Sequence, residues 1–172
     1  MIIEIITYLV KLLVLVLLQL LVVNNLALTT YINPFIYIIF ILSLPVQMKP
    51  WMVLVISFLV GIVMDSFNST PGLHTGATVF MGYLRGFYLK LAANKEDFET
   101  RISPSIADKG VAWFLMYAFT LTLAHHLYLF FFEVYSLSEF FRTMLRVLSS
   151  TLFSVLLIFI GELLFFRKTK AR

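Results

Sequence analysis

Cysteine is absent from this 172-residue chain. That excludes disulfides, thiolate metal sites and cysteine nucleophiles, and leaves the redox compartment open. Charge is scarce as well: 13% of residues are Asp, Glu, Lys or Arg, against about 25% in a soluble domain. Long polar stretches are missing, the longest running from Asn94 to Gly110, so no soluble domain fits beside the apolar segments. No phosphate-cradling glycine loop, no nucleophile–base–orienter set and no pair of carboxylates on one helix face is visible. The expectation is a protein that is not an enzyme and needs no cofactor.

What is present is apolar. Hydrophobic residues make up 61% of the chain, with 18 Phe, and they fall into six stretches that predict an all-α integral membrane protein, one six-helix domain over residues 1–172. The spans run at about 5–23, 31–46, 51–65, 76–91, 111–132 and 141–166. The first has about 19 residues, enough to cross. It opens on Met1-Ile2-Ile3-Glu4 and ends in Val22-Val23-Asn24-Asn25, without the basic start or small-residue cleavage site of a secretory signal, so it reads as a retained anchor. In the second, Asn33-Pro34 suits a helix start and Pro45 an end. Spans two to four are short, about 15–16 residues against the usual ~20.

The basic residues give an orientation. With both termini in the cytoplasm, the inner side holds Lys49, Lys90, Lys95, Arg101, Lys109, Arg167, Lys168, Lys170 and Arg172. The outer side holds Arg142, with Arg146 one turn into the last span, while Lys11 and Arg85 lie within spans. Nine of 13 cations thus face inward, as the positive-inside rule requires. Net charge is +4; orientation and anionic headgroups account for it, with membrane lipids as partners and no nucleic acid.

The segment from Gly61 to Ala77 carries the most specific pattern: Gly61, Asp65, Pro71, Gly72 and Gly76 around a Ser/Thr/Asn-rich turn. Gly61 shares a helix face with Asp65 four residues on, and a small residue there admits a neighbouring helix. Two readings stand: an ordinary outer hairpin with a solvated Asp65, or a constrained hairpin that shapes the bundle or a partner site. Gly82-x-x-x-Gly86 matches close helix packing; Gly72-x-x-x-Gly76 falls in the hairpin and reads as coincidence. Lys11, Arg85 and Glu162 are intramembrane, and an internal Glu162 pairing with Lys11 or Arg85 competes with simple snorkelling. Arg85 lies nine residues past Gly76, roughly 13 Å deeper than Asp65's end. His74, His125 and His126 could approach Asp65, but adjacent histidines point about 100° apart, and metal-binding helices favour i, i+4. A histidine hydrogen-bonded inside the bundle is the expectation, with no metal. Glu133 to Phe141 predicts a short interfacial helix.

Gly-x-x-x-Asp, six residues, then Gly-Leu-x-x-Gly-Ala, in a six-span chain of this length, resembles the MreD family, the small membrane subunit of the bacterial rod-shape or cell-elongation complex. The loop Arg101-Ile-Ser-Pro104, Trp113 and the His125-His126 pair look like the version found in Bacteroidetes-type bacteria. The resemblance implies a scaffold of the inner (cytoplasmic) membrane that partners an MreC-like periplasmic protein and associates with MreB, RodA and a class B penicillin-binding protein. It also implies a fold similar to the substrate-binding S components of ECF-type transporters. Hence the alternative function is a small-molecule carrier subunit. S components resemble one another in an Ala-x-x-x-Ala pattern in the first span, and Leu9 to Val23 here holds no alanine.

Overall fold

The structure is a computed structural model that describes residues 2–26, 31–92, 94, 97–98 and 103–165. Lys95, Arg101 and the tail cations Arg167, Lys168, Lys170 and Arg172 lie outside the described residues, as does Phe166. The helices are α1 (Ile2–Leu21), α2 (Ile38–Leu42), α3 (Pro50–Asn68), α4 (Leu73–Ala92), α5 (Ile106–Lys109), α6 (Val111–Val134) and α7 (Phe140–Phe165), with 3-10 turns at Val23–Asn25 and Leu137–Glu139. Four helical stretches are long and apolar enough to cross a bilayer: Ile6–Asn25, Pro50–Asn68, Val111–Val134 and Phe140–Leu164. The chain is therefore read as a multi-pass membrane protein. α4 has the length, at 20 residues, but His74, Arg85, Lys90 and three glycines dilute its apolarity.

Local chemistry sets the ends. Pro50 opens α3 at its first turn, where a missing N–H costs nothing, and Ser69 closes it in the left-handed region at φ 55°. Tyr135 closes α6 the same way at φ 48°. α3 packs on α4, α4 on α6 and α6 on α7. α1 stands at the margin, with Ile3, Ile6, Leu9, Leu13, Leu17 and Leu21 exposed. Exposed apolar side chains on α3, α6 and α7 continue that surface, the solvation expected where lipid replaces water. The interfacial helix expected at 133–141 is a single 3-10 turn, followed directly by α7.

The largest departure from expectation is the second span. Residues 31–46 hold helix only over Ile38–Leu42, five residues. Pro34 lacks an N–H and biases Asn33 toward extended backbone, so Asn33-Pro34 does not open a helix here. The segment is nevertheless the centre of the core: Tyr37, Ile38, Ile41 and Leu42 are fully buried. Irregular backbone at membrane depth survives only where protein supplies its hydrogen bonds, and four helices do so. Asn33 N–H donates to Ser150 Oγ (2.9 Å) and Phe35 N–H to Ser154 Oγ (2.9 Å), both on α7. Gln19 of α1 accepts from Ile36 N–H at 2.7 Å and donates to Pro34 O at 3.1 Å. Tyr117 of α6 donates to Leu42 O at 2.8 Å. Arg85 of α4 donates to Leu44 O and, at 3.4 Å, to Pro45 O.

Candidate functional site

Three polar constellations lie inside the bundle, and each begins with a backbone requirement. The first is the 61–76 hairpin. α4 starts at Leu73, so Gly72 occupies the capping position with no side chain to cap it, at φ +83°. The first N–H groups of a helix have no partner within it. Asp65 supplies one from across the turn: its carboxylate accepts from Gly72 N–H (3.1 Å), His74 N–H (2.9 Å) and Thr75 N–H (3.0 Å). The Thr70 and Thr75 hydroxyls add bonds of 3.0 and 2.6 Å. A carboxylate at a helix N-terminus also meets the positive end of the helix dipole. Asp65 is 9% exposed, and its five bonds make it a remote cap for α4.

The glycines set the helix spacing around it. A Cβ at Gly61 would lie 2.4 Å from Thr75 Cα, so α3 and α4 meet backbone to backbone there. Gly76 faces the Tyr128 ring of α6, where a Cβ would lie 2.6 Å from Oη. Gly82 abuts Ser57 of α3, whereas a Cβ at Gly86 meets nothing within 4 Å. Only the first member of the Gly82-x-x-x-Gly86 pair is therefore a close contact. Pro71 is an exposed member of the turn.

The second constellation is an imidazole–phenol cluster one layer deeper. Tyr37 Oη lies 3.0 Å from His74 Nδ1 and 2.8 Å from His125 Nε2. A phenol has one proton, so it donates to one ring and accepts from the other. His125 Nδ1 is buried without a partner; a bare lone pair there is the cheaper choice. That places the His125 proton on Nε2, directs the Tyr37 hydroxyl at His74 Nδ1 and leaves the His74 proton on Nε2. His126 turns the other way, as a 100° step requires. Its Nδ1 donates to Thr122 O at 2.8 Å and its Nε2 lies 3.4 Å from Ser154 Oγ. Phe35 stacks edgewise on His74 at 5.0 Å between centroids. Among the described residues no three His, Asp or Glu side chains are grouped to hold a metal.

Above this cluster opens a cavity of about 270 Å³, lined in part by Asn24, Asn33, Asn68, Thr70, His74 and Arg146. Arg146 pairs with Glu133 at 3.0 Å and sits 4.2 Å over the Phe130 ring. The family models, the curated proteins and the solved structures contain no match to this chain.

The third constellation lies toward the other end. Arg85, 2% exposed, donates from Nε to Tyr117 Oη at 2.9 Å as well as to the Leu44 and Pro45 carbonyls. It is a backbone staple and stands apart from both Asp65 and Glu162. Glu162 is buried and accepts from Ile106 N–H at 3.3 Å. Lys11 donates to Ser43 Oγ. Sequence reasoning passed over Tyr37, Tyr117, Gln19, Ser150 and Ser154. A lone Gln in a leucine-rich span, and two serines one turn apart in another, were the signals available.

Proposed function

We propose that the chain is a non-catalytic scaffold of the MreD type. In this reading it crosses the bacterial inner membrane six times with both termini in the cytoplasm. It joins an MreC-like periplasmic protein to MreB, RodA and a class B penicillin-binding protein. One observation carries the reading: six intramembrane polar side chains are spent on the protein's own backbone. Asp65 caps α4, Arg85 and Tyr117 fix residues 42–45, and Gln19, Ser150 and Ser154 fix residues 33–36. Such a body holds one shape, with its outer faces left to lipid and partners. Six passes are supported by the way residues 37–45 descend along α4, from His74 at Tyr37 to Arg85 at Leu44. Those α4 positions are about 16 Å apart. The test is co-purification of the tagged chain in mild detergent. Recovery of an MreC-like protein with wall-synthesis enzymes is the expected result; recovery with an ATPase-linked transport module alone overturns it.

A carrier subunit is the second reading, and the polar cavity above His74 and Phe35 favours it. There a vitamin-sized solute would raise the thermal stability of the purified chain, and an Asn68→Trp variant, which fills the cavity, would remove the shift.

A further inference from the structure

α3 and α4 form a wedge. They touch at Gly61 and Gly82 and part at Gly86, where a Cβ would find open space. Between them lies a cavity of about 290 Å³, lined by Val53, Leu54, Tyr83, Arg85, Phe87 and, from outside the two helices, Phe98. Apolar walls with a few fixed polar groups are the usual make-up of a ligand pocket. The charged residues that line the wedge are both cations, Arg85 and Lys90, and the acid beside its lining Phe98, Asp97, is tied to Lys109. Lys90 lines it, with Nζ 5.9 Å from the Phe87 ring centre. Lys49, exposed, stands between the lining residues Met48 and Pro50. The bonds of Arg85 go to a phenol and two carbonyls, all neutral.

No carboxylate lines the wedge or pairs with these three cations among the described residues. Among the other described cations, Arg146 pairs with Glu133, Arg142 with Glu139 and Lys109 with Asp97, and Lys11 donates to Ser43. Lys90 is two residues from the end of α4, at the level where a membrane-spanning helix meets headgroups. Basic pockets between transmembrane helices suit anionic headgroups.

We propose that this wedge binds one acidic phospholipid, its acyl chain between α3 and α4 and its phosphate against Lys49 and Lys90. The site is independent of whether the chain serves as scaffold or carrier. It is tested by native mass spectrometry of the full chain in neutral detergent, titrated with phosphatidylglycerol or with phosphatidylcholine of the same acyl chains. One phosphatidylglycerol is expected to bind, at least about fivefold more tightly than phosphatidylcholine, and Lys90→Gln to weaken it about fivefold, the usual worth of one basic residue at an anionic surface. Gly86→Leu places its Cβ in open space and its side chain in the wedge, and is expected to abolish binding without lowering the melting temperature of the lipid-free chain. Equal retention of the two lipids overturns the proposal. So does full binding to a stable Gly86→Leu chain. A dimer of this chain that Gly86→Leu dissolves would assign the wedge to a second copy and overturn it likewise.

Discussion

Asp65 shows how one side chain turns a turn sequence into a helix junction. Thr70, Gly72, His74 and Thr75 all point donors at it, two on one carboxylate oxygen and three on the other. Replacing Asp65 by Asn keeps the shape, removes the charge and turns one acceptor into an NH2 group that meets N–H and O–H donors. Charge-assisted bonds are worth about 1.5–3 kcal/mol each and a lost cap about 1, so Asp65→Asn is expected to destabilise the chain by about 3 kcal/mol. Glu139 is half-exposed, and its contact with Arg142 is 3.5 Å. Glu139→Gln should therefore stay within about 0.5 kcal/mol of wild type. Unfolding of both variants in mixed micelles with increasing dodecyl sulfate checks the contrast. Equal midpoints would mean that Asp65 is not the cap of α4.

At the scale of elements, the irregular segment 31–46 is held by partners remote in sequence. Ser150 and Ser154 sit one turn apart on α7 and take the N–H groups of Asn33 and Phe35, two residues apart on extended backbone. The two spacings match because a helical turn rises about 5.4 Å and two extended residues about 6.6 Å. Removing the Ser154 hydroxyl strands a buried N–H at a cost of about 1–3 kcal/mol. Ser154→Ala should therefore lower the unfolding midpoint clearly, and Ser150→Ala in addition should cost more still. Ser138→Ala, in the exposed turn before α7, should change nothing measurable. A Ser154→Ala midpoint equal to that of Ser138→Ala would show that water or another group serves Phe35. This dependence also explains what could be read beforehand. Hydropathy and Pro50 located α3, α6 and α7 to within three residues at each end, because those helices satisfy their own backbone. The hairpin pattern of Gly61, Asp65 and Gly72 was legible because its donors lie within ten residues of the acid. The 31–46 segment looked like one more short span, since its apolar content is the same whichever way its backbone is bonded. Its true form depends on Gln19, Arg85, Tyr117, Ser150 and Ser154, which no local window joins. Gly86 looked equivalent to Gly82 for a related reason: spacing alone does not reveal where two helices part.

For the whole molecule, composition and packing agree on a body turned outward toward lipid. Asp65, Tyr37, His125, Arg85 and Glu162 are all buried, while large apolar side chains such as Leu13, Leu17, Phe58, Met116, Leu152 and Leu164 are exposed. The two ends differ in their electrostatics. At the hairpin end Arg142 and Arg146 are each matched by a glutamate; at the other end Lys49 and Lys90 are not. An excess of positive charge on one side is what retains a loop in the cytoplasm during insertion, so the hairpin end is expected to face away from it. The absence of cysteine makes this directly measurable, since any introduced thiol is the sole target. Ser69, exposed after α3, and Ala107, exposed in α5, stand at opposite ends of the bundle. In intact cells a membrane-impermeant maleimide should label Ser69→Cys and leave Ala107→Cys unmodified until the membrane is opened. Four passes alone would tie the two sites differently: with residues 31–46 and α4 failing to cross and the termini in the cytoplasm, Ser69 and Ala107 would lie on the same inner side and be protected together. Ser69→Cys protected and Ala107→Cys labelled would invert the protein, and would put the unmatched lysines against the outer leaflet.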